Sequence, residues 1–236
     1  MKIAIMQPYF FPYIGYFQLL NAVDEFIIYD NIEYTKKGWI NRNRILANGK
    51  DQVIGIPIKK DSDYLTIIER TLSDNWEKDR NKLFNKIKES YRNAPYYKDA
   101  AEVIEECLFL EDRNLFRFIL NSLECVSSYL NIETPIITSS NIPVNHDLKS
   151  QDKVLAMSSN RGGSTYINPI GGVDLYKKND FLSQKIKLRF LKTKPFIYAQ
   201  YNNEFVPWLS IIDIMMFCSK EQIGLYLNEG YSLIEN

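Results

Sequence analysis

The first thirty residues constrain this chain more than any other stretch. Residues 2–6 (KIAIM) form a short, continuous apolar run, which reads as a strand covered on both faces. Pro8 and Pro12 punctuate the loop that follows, residues 14–23 read as a helix, and residues 26–29 (FIIY) read as a second strand ending at Asp30. A strand, a crossover helix and a second strand in that order make a parallel pair. The chain therefore starts an α/β sheet.

Further along, residues 31–45 read as a polar, aromatic loop, 53–57 as a third strand and 65–72 as a fourth. From 76 to 130 the pattern turns helical, near 79–91, 97–109 and 114–130, with Pro95 splitting the first two segments. Strand patterns return at 134–138, 165–167 and 186–190, with helical runs at 152–159 and 210–217. The expected fold is a parallel-sheet, Rossmann-like α/β core, with residues 1–236 as one domain and 76–130 as a helical insertion within it.

Composition narrows the partners. Lys plus Arg equals Asp plus Glu at 29 each, so the chain lacks the positive excess that a nucleic-acid partner demands. Its three cysteines (Cys107, Cys125, Cys218) are odd in number and widely spaced, which argues for a reducing compartment and a cytoplasmic protein. One histidine, His146, makes a structural zinc site improbable, and no metal is expected. No signal peptide is expected ahead of the first strand, and no run approaches the about 20 apolar residues of a membrane span. Oligomeric state is open, and a homodimer is compatible with the sequence.

Several residues carry candidate chemistry. Gly15 at the start of the first helix lets a ligand approach the backbone, and the free amides there attract an anion. Gln7, Tyr13 and Tyr16 flank that point, although the two tyrosines can equally pack in the core. The segment 36–44 (KKGWINRNR) gathers Lys36, Lys37, Arg42 and Arg44 with Trp39, Asn41 and Asn43. Arg grips a pyrophosphate, Trp stacks on a base or sugar, and Asn bonds hydroxyls; a solvated loop is the alternative. Ser139 and Ser140 end a strand, where they can bind phosphate or cap a helix. Tyr166 and Asn168 lie between the glycine pairs 162–163 and 171–172. Asp30 and Asp213 are the carboxylates suited to handle a proton, and Asp213 interrupts an apolar helix, where a buried charge needs a partner. His146 reads as a surface histidine, and the cysteines as core.

The opening layout is similar to that of the class I nucleotidyltransferases (HUP-type), in which an HxGH sequence opens the helix and contacts ATP phosphates. Here the segment is Tyr13-Ile14-Gly15-Tyr16: the glycine is kept, and both histidines are replaced by uncharged tyrosines. A second resemblance spans nearly the whole chain. MQPYFFPYIGYFQLL (6–20), Asp24, Asp30, Gly38 through Asn43, Ser139-Ser140, Tyr166 through Pro169, Gly171-Gly172 and FVPWLSIID (205–213) resemble the WbqC-like family. That resemblance implies an enzyme of O-antigen or other surface-polysaccharide (lipopolysaccharide) biosynthesis. Its substrate would be a nucleotide sugar, plausibly an amino sugar, with transfer of an acyl or aminoacyl group to the sugar amine from a matching donor. Two rivals stand beside this transferase: a nucleotidyltransferase using ATP or CTP with Mg, and a non-catalytic scaffold that binds a sugar nucleotide. No resident cofactor is expected.

Overall fold

The computed structural model describes residues 1–235. Six strands form one sheet: β1 (Lys2–Met6), β2 (Glu25–Ile28), β5 (Ile136–Thr138), β6 (Thr165–Pro169), β7 (Lys187–Thr193) and β8 (Tyr231–Ile234). Their spatial order is β5-β2-β1-β6-β7-β8. All neighbours run parallel except β7 and β8, which are antiparallel. Numbered by order of appearance within this sheet, the strands lie 3-2-1-4-5-6, the order of a doubly wound α/β sheet. The mixed α/β expectation holds, with a mostly parallel sheet.

The period-2 alternation of strand side chains divides the core into two layers. Ala4, Phe26, Ile28, Ile167 and Leu191 face one way. They pack under α1 (Ile14–Asn21), α7 (Ile211–Phe217) and the helices α2 (Trp76–Tyr91), α3 (Tyr97–Leu108) and α4 (Leu115–Tyr129). Ile3, Ile5, Ile27, Tyr166, Leu188 and Phe190 face the other way, under α5 (Ser150–Asn160) and α6 (Lys178–Ser183). Both faces being covered explains why the strands read as unbroken apolar runs.

Two segments depart from the sequence reading. The end of the loop expected at 31–45 is strand: β3 (Arg42–Ala47) pairs antiparallel with β4 (Lys50–Gly55) in a separate hairpin. Asn48 and Gly49 make its two-residue turn with φ of 53° and 72°. Asn-Gly favours this turn because both central residues need positive φ. The strand expected at 65–72 is instead a single 3-10 turn, Ile67–Glu69. Its capping box, with Thr66 N and Oγ1 both donating to Glu69 Oε2 at 2.8 and 2.6 Å, outcompetes an extended ladder. α6, α8 (Lys220–Glu229) and β8 add to the elements read from the sequence.

The hairpin pins the loop between β1 and α1. Asn43, buried, donates from Nδ2 to the carbonyls of Phe10 and Phe11 at 3.0 and 2.9 Å. Ser210 Oγ donates to the same Phe11 carbonyl at 2.7 Å, and Phe11 sits at φ 40°. Both Phe rings are wholly buried. Replacing Asn43 by Ala leaves buried carbonyls short of a donor, at a cost of about 2 kcal/mol. Urea unfolding of Asn43→Ala is expected to show a lower midpoint with an unchanged slope; an unchanged midpoint would contradict the pinning.

Candidate functional site

In an open α/β sheet the crevice lies outside the carboxyl ends of the strands, where the strand order reverses. Here the reversal falls between β1 and β6. On the β2–β5 side of that point, the residues that follow β2 and β5 form a hydrogen-bonded polar cluster. Asp30, two residues past β2, is buried. Its Oδ1 accepts from Ser140 N at 3.0 Å and from Ser139 Oγ at 2.8 Å. Ser139 Oγ also lies 2.9 Å from Asn31 Oδ1. A hydroxyl has one hydrogen, and the charged acceptor takes it more strongly.

Asn31 Oδ1 is supplied instead by Lys153 Nζ, at 3.3 Å. That leaves Asn31 Nδ2 to donate to His146 Nδ1 at 3.0 Å, while His146 Nε2 donates to the Ile142 carbonyl at 3.0 Å. These partners place the imidazole proton on Nε2. Lys153 is buried on α5, with its ammonium 5.6 Å from the centre of the Tyr29 ring. Burial lowers the Lys153 pKa from its ordinary value, and the Asp30 and Asp147 carboxylates oppose that shift. Burial likewise raises the Tyr29 phenol, with Tyr176 adding to it.

Tyr166 and Asn168 extend the cluster along β6. Tyr166 Oη donates to Asn168 Oδ1 at 3.0 Å and lies 3.2 Å from Tyr176 Oη. Gly172 makes room for this arrangement, since a Cβ there would come within 2.1 Å of Asn168 Nδ2. The structure thus joins Asp30, Ser139, Ser140, Tyr166 and Asn168 with Tyr29, Asn31, His146, Lys153 and Tyr176. The second group was not among the sequence candidates, apart from His146 read as surface. The one available signal for Lys153 was a lone cation beside Val154 and Leu155 in a helical run.

The remaining candidates are placed elsewhere. Gly15 is buried beneath its neighbour: a Cβ there would lie 2.4 Å from the Tyr13 ring. Tyr16 is buried and donates from Oη to the Gln7 carbonyl at 3.0 Å. Asn41 accepts from Tyr34 Oη at 2.7 Å and donates to the Ile56 carbonyl at 2.8 Å. Arg42 donates to the carbonyls of Gly38 and Lys37 at 2.9 and 2.6 Å. Lys36 pairs with exposed Asp63 at 2.6 Å. Trp39 is half-exposed, with the Arg42 and Arg44 guanidinium groups 5.7 and 5.6 Å from its ring. The expected cradle of Gly15 amides and 36–44 cations is therefore not assembled. Tyr13 covers the glycine, Arg42 bonds loop carbonyls, and Lys36 and Arg44 pair with Asp63 and Asp51.

Asp213 is fully buried, and three side chains hold it. Tyr91 Oη donates to Oδ1 at 2.8 Å, and Tyr198 Oη and Gln200 Nε2 donate to Oδ2 at 2.7 and 2.6 Å. Burial raises its pKa, against the lowering effect of those three bonds. Burial and the Asp213 charge push the nearby Cys218 thiol up to about 12, so it stays protonated near neutral pH. Among the described residues, no cluster of three or more His, Cys, Asp or Glu side chains could hold a metal, and no helix is long and apolar enough to cross a membrane.

The fold and this cluster define a doubly wound α/β protein with a buried, charged and hydroxyl-bearing cluster at the carboxyl ends of β2 and β5. The chain belongs to the WbqC-like protein family, whose model matches residues 7–224. It is 34% identical over 142 residues to the uncharacterized protein Rv1507c of Mycobacterium tuberculosis. That match covers 58% of this chain and 60% of the relative, so the chain spans less than two thirds of the relative it matches. No solved structure gives a significant match.

A raised folded-state pKa means that Asp213 binds its proton more readily in the native chain than in the unfolded one. The stability linked to that proton is fully present below the ordinary carboxylate range and is lost as pH rises through the raised value. Asp213→Asn cannot titrate there. Urea unfolding of both proteins across that window is expected to show the wild type losing stability relative to the variant as pH rises. Parallel pH profiles would contradict the assignment.

Proposed function

We propose that this chain is an enzyme of bacterial surface-polysaccharide biosynthesis that acts on a nucleotide-linked amino sugar and transfers an acyl or aminoacyl group to the sugar amine. One observation carries the reading: a buried carboxylate, Asp30, and a buried ammonium, Lys153, share one hydrogen-bonded cluster at the carboxyl edge of the sheet, where β2 and β5 end. The hydroxyls and amides around them suit a sugar, and Lys153 suits the negative charge of a diphosphate or of a carbonyl oxygen under attack.

Asp30 fits the proton-handling role better than Asp213. Its Oδ1 is fixed by Ser139 and Ser140, while Oδ2 has no hydrogen-bond partner among the described residues. Both Asp213 oxygens are occupied. In the transfer, the amine nitrogen attacks the acyl carbonyl, and the new C–N bond forms as the bond to the donor's leaving group breaks. That group leaves with the electron pair, and Asp30 takes the ammonium proton and passes it on. The Ser139 hydroxyl and Ser140 amide hold the carboxylate in position.

Thermal-shift measurements with UDP- and TDP-linked amino sugars test the reading. A ligand at 100 times its Kd stabilises by about 2.7 kcal/mol. Lys153→Met is expected to weaken that binding at least about tenfold, the effect of losing a charged hydrogen-bonding partner. Asp30→Asn is expected to keep binding but to slow amine acylation by about 10²–10⁴, the range of general base catalysis. No stabilisation at millimolar sugar nucleotide sinks the proposal.

A further inference from the structure

A cavity lies on the same carboxyl edge as the Asp30 cluster, beside the end of β7 and the start of α1. Its volume is about 410 Å³, and it is walled by Tyr13, Phe196, Tyr198, Phe205, Trp208 and Ile214. Volumes of about 300–1,000 Å³ are usual for small-molecule sites. Nothing in the polar cluster around Asp30 contributes to this wall.

The wall is mostly apolar, in part because three of its hydroxyls point into the protein. Thr193 Oγ1 donates to Gln18 Oε1 at 2.8 Å, Ser210 Oγ to the Phe11 carbonyl at 2.7 Å, and Tyr198 Oη to Asp213 at 2.7 Å. A base or sugar placed there would find few replacements for its hydrogen bonds to water, which is costly. An aliphatic chain loses nothing. At the rim, Ile197 and Trp208 are 75% and 61% exposed, a large share for apolar side chains. Trp208 also adopts φ 60°, a conformation that a bulky L-residue keeps only where its surroundings impose it. Its ring meets Tyr13 edge-on at 5.9 Å. The exposed Lys192 lines the same cavity and brings a cation to its mouth.

We propose that this cavity binds an aliphatic acyl chain, with the anionic head of the molecule that carries it at Lys192. The segment from Lys194 to Leu209 would close over the chain, and bound methylenes would cover Ile197 and Trp208. The inference deepens the transfer reading, because it gives the donor a chemistry; it rests on that reading only for the chain's use and not for its binding.

Tryptophan fluorescence of the full chain tests it, with decanoate, butyrate, decanol and decanoyl-coenzyme A as probes and no nucleotide sugar present. Decanoate is expected to give a saturable blue shift at least tenfold tighter than butyrate. Ile197→Asp, at an exposed position that folding tolerates, is expected to weaken decanoate at least tenfold. Lys192→Glu is expected to weaken decanoate and leave decanol unchanged. Trp208→Phe is expected to remove the optical signal while calorimetry still detects the decanoate. Decanoyl-coenzyme A binding at least tenfold tighter than decanoate identifies a thioester as the source of the chain; equal or weaker binding identifies a free carboxylate. Equal affinity for butyrate and decanoate, or full affinity in Ile197→Asp, overturns the proposal. Because no sugar nucleotide is present, failure here leaves the amino-sugar result standing, and the reverse holds too.

Discussion

The clamp on the first loop is the constraint from which the rest of the carboxyl edge follows. A loop that carries two adjacent phenylalanines inward must bury its own carbonyls, and a buried carbonyl needs a donor. Asn43 and Ser210 supply those donors to Phe10 and Phe11. They come from a hairpin and a helix far apart in sequence, so the clamp ties the first crossover to both. Further backbone bonds reinforce it, from Phe10 N to the Ile40 carbonyl at 3.1 Å and from Ile211 N to the Pro12 carbonyl at 2.9 Å. With the loop fixed, the Tyr13 ring lies over Gly15 on one side and against Trp208 on the other.

Much of the fold was legible because burial writes itself into the strands. The runs at 2–6 and 26–29 are apolar throughout since helices cover both faces of the sheet. The helices at 76–130 were legible by their 3.6-residue periodicity. The hairpin was hidden behind its polar content: Arg42 through Ile45 read as the end of a loop because Arg42, Asn43 and Arg44 open the strand. Asn48-Gly49 was its signal, since that dipeptide supplies the two positive φ values a tight hairpin needs. β8 escaped because a four-residue edge strand carries little pattern of its own.

The site was legible only in part, and for a physical reason. Sequence motifs draw attention to residues whose type is unusual in context, and such residues often serve structure. Asn41 and Asn43 stand out in a polar, aromatic stretch and Asp213 in an apolar helix, and each bonds a partner inside the fold. The Arg42 guanidinium caps carbonyls of its own loop. By contrast, Asn31, His146 and Lys153 look ordinary in sequence and become significant only where folding gathers three segments at the ends of β2 and β5. Asp30, Ser139 and Ser140 were legible because they follow strand ends, and ligands of parallel sheets meet strand ends.

The cluster around Asp30 and the cavity beside α1 differ in what they offer a guest. Around Asp30, Ser139 Oγ donates to the carboxylate and Lys153 Nζ to the Asn31 carbonyl, so polar groups form one buried network. Beside α1, the hydroxyls of Thr193, Ser210 and Tyr198 turn inward to hold Gln18, Phe11 and Asp213. The bonds that keep the first loop and the Asp213 network in place therefore also take three hydroxyls away from the cavity. An enzyme that joins a sugar amine to an acyl group needs both kinds of surface. Here a single structural requirement, satisfying the buried polar groups beneath the cavity wall, yields the apolar one.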